Sequence, residues 1–365
     1  MSSMPGVGLI HLGMDISVNT IVVGVLSPVE EMPVVERVFN DEESVRRLVG
    51  RFSDPRGLSA CYEAGPGGYE LYRLLTSMGV ACEVVAPSLI PKGSSDRVKT
   101  DRRDAVRLAR LHRAGQLTAI RVPTPAEEAV RDLVRARADL LDDRKRMRHR
   151  LSAVLVRHGR IWRGGSAWTL THREWIARRV FDEPALSRAV ATYRGGLGAR
   201  EAELTAVEAE LAGWAKEPPL AATVARLEAY RGIAWLTGMT LAAEVVDWRR
   251  FPTAGAFMGF CGLVPSEYSS GARTRRGRIT KAGPVAVRTA LIEAAWAYRH
   301  RPGIGVTLSR RQAGASADTL ARSWTAQQRL HTKYRKMTGR GKSPAVAVVA
   351  LARELARFVW AEMTN

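Results

Sequence analysis

The sequence predicts an α/β domain followed by a mainly helical remainder. Three observations carry this expectation. Strand-like β-branched runs are confined to roughly the first ninety residues, a helical apolar period takes over near residue 125, and the charge changes sign between the two parts. With 365 residues the chain is long enough for two or three domains.

Residues 7–16, 20–27 and 33–39 read as three consecutive strands, β-branched and separated by short Ser, Asn and Pro turns. Residues 41–52 open with acidic residues and read as a helix. LSACYEA (58–64) is a short buried strand, GPGG (65–68) a turn, 69–78 a helix and ACEVVAP (81–87) a further strand. A helix follows from Asp101 to about Arg113, with Val106, Leu108 and Leu111 on its apolar side. The order βββαβαβα is compatible with an RNase H-like domain over residues 1–124.

From 125 to 157, apolar residues from Val130 to Val154 recur mostly at three- and four-residue steps, lapsing once at Arg144 and Lys145. This predicts a long coiled-coil helix, with residues 199–217 as its candidate partner. The region 125–222 is therefore expected to be a helical linker. The Gly/Trp/Arg segment 158–198 within it carries no recognisable chemistry. Residues 223–365 are expected to form a helical domain. It contains a helix–Gly–helix stretch at 223–250, a Gly-rich basic loop (SSGARTRRGRITKAG, 269–283), a helix at 284–299, a basic stretch at 331–342 and a final helix at 344–363.

Residues 1–90 hold 6 Lys+Arg against 11 Asp+Glu, whereas the whole chain holds 56 against 36, so the basic charge lies entirely beyond residue 90. An acidic head with a strongly basic remainder points to a polyanion partner. The three cysteines (Cys61, Cys82, Cys261) are scattered and lack CxxC spacing, which excludes a disulfide framework or zinc site and fits a reducing cytosol. There is no apolar run of membrane-spanning length and no secretory signal pattern, so a cytoplasmic, nucleoid-associated protein is expected.

The candidate chemistry begins with carboxylates. Asp15 ends the first strand, Glu63 lies at the end of the fourth, and Asp101 and Asp104 share a face at the start of a helix. In an RNase H-like sheet the first and fourth strands are central neighbours, so these four acids could converge. Four clustered carboxylates repel unless divalent cations neutralise them, and Mg²⁺ prefers such oxygens. Two ions would clamp the attacking and leaving oxygens of a phosphodiester. Taken singly, each acid also has an ordinary reading as a strand-end turn or a helix-terminus charge.

GMDIS (13–17), CYEAGPGGYEL (61–71) and KTDRRDAVRLARL (99–111) resemble the N-terminal domain of the DEDD transposases of bacterial insertion sequences, which have a RuvC-like fold and include the bridge-RNA-guided recombinases. FPTAGAFMGFCGLVPSEYSSGARTRRGRITKAGPVAVRTALIEAAW (251–296) resembles their C-terminal transposase domain. The resemblance implies a metal site of Asp15, Glu63, Asp101 and Asp104 holding Mg²⁺, two ions per composite site. It also implies a serine nucleophile that joins covalently to DNA, at Ser270 in the SSG block, with Ser269 and Ser266 still open. Arg273, Arg275, Arg276, Arg278 and Lys281 would hold the nucleic acid. Implied partners are donor and target DNA, a structured noncoding RNA as guide, and further copies of the chain as a dimer or tetramer. The rival readings are a junction-resolving nuclease that uses water and metals alone, and a noncatalytic nucleic-acid scaffold. Two positions depart from the family pattern: Ala234, where a glycine is common, and Pro284, where asparagine is common.

Overall fold

β1 (Ile10–Ile16), β2 (Thr20–Leu26) and β3 (Val34–Phe39) form an antiparallel meander, and β4 (Leu58–Glu63) and β5 (Ala81–Val85) extend it in parallel from β1. The resulting order is β3-β2-β1-β4-β5, with β1 and β4 adjacent at the centre. The computed structural model describes residues 8–87, 90–91, 100–270 and 273–365, with backbone alone at 268–270, 273–274 and 276. It divides into two units, Met1–Val122 and Pro123–Asn365.

In the first unit the period-two alternation of β1 and β4 sends Leu12, Met14, Leu58, Ala60 and Tyr62 to one face. There they bury against α1 (Glu42–Val49) and α2 (Glu70–Ser77) through Val45, Leu48, Leu71 and Leu75. The opposite face receives α3 (Asp101–Arg113) alone among the described helices, with Leu108 packed against Cys61 and Val85. Thr100 caps α3 by accepting the Arg103 amide at 3.3 Å.

The second unit opens with α4 (Pro125–Arg157), started by a complete Thr124/Glu127 capping box. Its partner α6 (Pro184–Trp214) runs antiparallel to it. The Arg137–Glu208 pair (2.7 Å) and the Arg148–Glu201 pair (2.9 Å) step in opposite directions along the two helices. This partner helix begins about fifteen residues before the apolar seam that announces it. Gly195, Gly196 and Gly198 read as breakers in the sequence, yet they lie inside α6. A Cβ on Gly196 would meet the Met147 sulfur at 3.4 Å, an ordinary packing distance, so the pairing of the two helices does not depend on this glycine. Between them lies α5 (Leu170–Ala177).

The remaining helices are α7 (Leu220–Glu228), α8 (Trp235–Val245), α9 (Ala254–Phe260), α10 (Val285–Ala295), α11 (Val306–Gln312), α12 (Ala317–Gly339) and α13 (Pro344–Thr364). α13 is apolar over much of its circumference and sits at the centre, with Val348, Leu351, Leu355 and Val359 fully buried. The root of α4 packs on α8 through Val130 and Val134, and Arg135 grips the buried Glu244 with two bonds of 2.9 and 3.1 Å.

One expectation is corrected here. The basic loop at 269–283 contains a β-hairpin, β6 (Pro265–Ser270) with β7 (Arg273–Ile279). The strands Pro-Ser-Glu-Tyr-Ser-Ser and Arg-Thr-Arg-Arg-Gly-Arg-Ile lack apolar alternation, so the usual strand signal is silent. The basic stretch from residue 331 lies mostly within α12. Among the described residues no helix is long and apolar enough to cross a membrane.

A single carboxylate ties the helices of the second unit together. Glu362 is fully buried and accepts bonds from Thr319 (2.8 Å), Arg322 (2.7 Å), Arg226 (3.0 Å) and Tyr230 (3.1 Å). Burial acts to raise its pKa, but the bonds from Arg322, Thr319 and Arg226 prevail and hold it below the usual carboxylate range. Its stabilisation is thus present above the ordinary glutamate pKa and fades as the pH falls below it. Glu362→Gln leaves two arginines short of their partner and should cost about 3 kcal/mol. The melting temperature should then fall by about 9 °C. A loss within 2 °C would show that Glu362 does not join these helices.

Candidate active site

The parallel pairing of β1 with β4 ends at Met14 opposite Tyr62, so Asp15 and Glu63 are the next residues on adjacent strands. Residues at matching positions of a parallel pair share a face. Met14 and Tyr62 go to the core beneath α1 and α2, so Asp15 and Glu63 belong to the α3 face, at the carboxyl ends of their strands. Both are half-buried.

α3 brings the third acid. Its middle lies on Gly13, and the His112 ring meets His11 at 5.1 Å, so the helix runs opposite to β1. The first turn of α3, with Asp101 and Asp104, is therefore directed toward the end of β1 that carries Asp15. A Cβ on Gly13 would lie 2.2 Å from the Ala109 nitrogen and 2.5 Å from the Ala105 oxygen, and one on Gly24 would lie 2.9 Å from the same oxygen. Gly13 and Gly24 are paired across β1 and β2. The helix backbone thus rests directly on a two-glycine seat. Mid-strand glycines signal such close approach in a sequence, but the signal does not say what approaches.

Asp104 is buried. One carboxylate oxygen stands 3.3 Å from Arg107 Nη2, and the other, Oδ2, is buried with no hydrogen-bond partner among the described residues. A buried carboxylate oxygen without a donor is costly, and a cation satisfies it where the surroundings do not. Asp101 is exposed, 3.9 Å from Arg37. Among the described residues no three His, Cys, Asp or Glu side chains stand together as a ready-made metal cage. The fold thus brings Asp15 and Glu63 to neighbouring strand ends and directs the α3 turn of Asp104 toward them, while Asp101 lies at the solvent side of that turn. The all-oxygen donor set and the orphaned Oδ2 fit a hard divalent cation such as Mg²⁺.

The outer face of α3 adds a feature that sequence reasoning missed. Arg102, Arg103, Arg107 and Arg110 line an open groove beside Met32. The apolar residues of α3 face the sheet, so its arginines are left on the outer side. A groove so lined suits phosphate oxygens.

In the second unit, Ser270 pairs with Arg273 at the last rung of the β6–β7 hairpin, Ser269 pairs with Thr274, and Ser266 lies within a bulged part of the ladder. Gly271 and Ala272 lie outside the described residues. Arg275, Arg278 and Lys281 are exposed, and Arg273 and Arg276 lie on the same strand β7. The base of the hairpin is held rigidly. Gly262 approaches Ala282 and Gly283 approaches the Phe260 carbonyl so closely that neither tolerates a Cβ. Both have positive φ, and Arg288 donates to the carbonyls of Cys261, Lys281 and Ala282. No sequence motif marks Arg288 for this role.

Two sequence profiles match the chain. One, described as a DEDD-type transposase domain of the IS110 group, covers residues 12–159, and the other, the transposase IS116/IS110/IS902 family, covers residues 224–305. The chain is 45% identical to y4qE of Sinorhizobium fredii, named as a transposase, over 82% of this chain and 74% of that one. It is 30% identical to the transposase for insertion sequence element IS1533 of Leptospira borgpetersenii, over 91% of this chain and 98% of that one. The chain belongs to the IS116/IS110/IS902 family of transposases. The five-stranded mixed sheet of this transposase is accordingly RNase H-like, and the matched C-terminal region lies in its mostly helical part. Further relatives include the transposase for insertion sequence element IS1111A of Coxiella burnetii, 26% identical over 65% of each chain.

The glycine seat gives a test of the geometry. Gly13→Ala must push α3 outward and carry Asp104 with it. A displacement near 1 Å at a reacting centre costs about 10²-fold. Strand cleavage by the Gly13→Ala transposase should fall by that order, and Gly24→Ala should lose less. Equal, wild-type cleavage rates in both variants would show that the seat does not set the position of Asp104.

Proposed function

We infer that this transposase cleaves and exchanges DNA strands with Asp15, Glu63, Asp101 and Asp104 as ligands of Mg²⁺ and Ser270 as the nucleophile. The observation that carries the reading is the buried, unpartnered Oδ2 of Asp104, on a helix turn directed at the strand ends of Asp15 and Glu63. Asp15, Glu63, Asp101 and Asp104 would hold the cation, which would supply charge neutralisation for the phosphate oxygens. Ser270 Oγ loses its proton as it bonds to phosphorus, the bond from phosphorus to one sugar oxygen breaks, and that oxygen leaves as a hydroxyl by taking up one proton. Arg273, Arg275 and Arg276 offset the charge gained by the phosphate oxygens. Arg278 and Lys281 extend the same basic strand along the nucleic acid.

One phosphoester is exchanged for another, so rejoining to a different strand needs no ATP. Each exchange consumes two breaks and hence two serines, which requires at least two copies of the chain, as a dimer or tetramer. Recognition of donor and target DNA is assigned to a structured noncoding RNA. This rests on the basic charge beyond residue 90 together with the lack of a recognisable base-reading module in the sequence.

The test is to incubate the transposase with its element-end DNA and Mg²⁺, denature, digest with nuclease and map the modified peptide by mass spectrometry. A nucleotide on Ser270 is expected. Cleaved DNA with no nucleotide on any serine would favour the water-dependent nuclease instead. Neither cleavage nor adduct, with DNA still bound, would favour the scaffold.

A further inference from the structure

The tip of the α4–α6 helical hairpin carries a chemistry of its own. Between Arg144 and Arg179 the chain holds eleven lysines and arginines and a single acid, Glu174. The segment folds as a small head with its own core of Leu151, Val154, Leu155, Ile176, Val190 and Leu197. Arg148 and Arg173 are both spent on Glu201, at 2.9 and 2.6 Å. Arg157, Arg160, Arg163 and Arg178 are exposed and form no ion pair among the described residues. We propose that this head is a docking surface for the phosphate backbone of duplex DNA, gripped by Arg157, Arg160, Arg163 and Arg178.

Of the four, Arg160 is set in place by an aromatic ring, as are its neighbours Arg148 and Arg179. Arg148 lies 5.1 Å from the Trp168 centroid, Arg179 4.7 Å from Trp175 and Arg160 5.9 Å from Phe181. Cation–π contact of this kind holds an arginine without neutralising it. The same rings are committed to one another, with Trp162 and Trp175 at 5.5 Å and Trp162 and His172 at 5.1 Å. Single-stranded nucleic acid needs rings left open for base stacking. These rings are not open, so a charge track along a duplex fits the surface better.

The connection between α4 and α5 contains Gly159, Gly164 and Gly165, so its backbone meets little steric bar to close approach. A second copy of the head is a poor occupant, because two such charges repel. DNA is the polyanion a transposase must handle. At 1.5 Å per residue, the head stands roughly 30 Å along α4 from the root on α8. Contacts there fall on DNA flanking the region held by the rest of the unit.

The experiment uses the full chain with Arg157, Arg160, Arg163 and Arg178 all changed to Gln, and a second variant with all four changed to Lys. Affinity for a 40-base-pair duplex of arbitrary sequence is followed by anisotropy across a salt series. Each phosphate contact contributes a log–log slope of about −0.9. The Gln variant is expected to lose about 3 to 4 from the slope, with an unchanged melting temperature, and the Lys variant to keep most of it. An unchanged slope with duplex DNA overturns the proposal. So does a loss seen only with a structured RNA, or only in sedimentation as reduced self-association. A Lys variant as impaired as the Gln variant would also overturn it, since charge would then not be the basis of binding.

Discussion

Changing Ser270 to alanine is expected to abolish the covalent protein–DNA adduct and to lower strand cleavage by at least about 10³-fold, the scale set by removing a covalent nucleophile. The substitution removes one oxygen and no main-chain group. The hairpin is fixed by main-chain pairing from Pro265 to Ile279, by the Gly262 and Gly283 approaches and by the three carbonyl bonds of Arg288. None of these uses the Ser270 hydroxyl. DNA affinity should therefore stay within about twofold of wild type, because Arg275 and Arg278 remain exposed on β7. Ser269→Ala is the paired control and should retain the adduct. Normal cleavage by Ser270→Ala, with no adduct in either protein, would remove the serine from the mechanism.

The second large effect is expected at Asp104. Asn keeps the shape of the side chain and the Thr100 cap of α3, but it removes the charge that a cation requires. Cleavage should fall by about 10³-fold, equivalent to about 4 kcal/mol of transition-state stabilisation. Stabilisation of the protein by added Mg²⁺ should disappear with it, because a ligand stabilises only a fold that binds it. This readout separates metal loss from simple damage. Asp41→Asn is the control: Asp41 caps α1 by accepting the Ser44 amide at 2.7 Å, away from the strand ends. It should leave that helix nearly unchanged, because Asn caps as well as Asp, and leave the response to Mg²⁺ intact. An Asp104→Asn transposase that cleaves normally and still gains stability with Mg²⁺ would exclude Asp104 as a ligand.

Much of the first unit was legible because its signals are local. The period-two runs of β1, β2 and β4 and the acidic starts of α1 and α3 are written in neighbouring residues. The pairing of β1 with β4 follows from their order and from the parallel crossover through α1. The glycine seat was not legible, because Gly13 and Gly24 announce a close approach without naming its partner in α3. The β6–β7 hairpin was missed for a different reason. A two-stranded ribbon whose residues are largely polar has no apolar alternation to betray it. The length of α6 was obscured by Gly195, Gly196 and Gly198, which lie inside the helix without ending it. Glu362 carries no motif in the sequence, and only the packing of α7, α12 and α13 makes it a shared anchor.

A cation held between β1, β4 and the first turn of α3 is the central expectation. Crystals grown with Mn²⁺ in place of Mg²⁺, with DNA bound, test this by anomalous scattering at the manganese edge. Anomalous peaks are expected at roughly 2.1 Å from carboxylate oxygens of Asp15, Glu63, Asp101 and Asp104. Manganese bound only elsewhere, in crystals of a protein whose cleavage still depends on the metal, would contradict it.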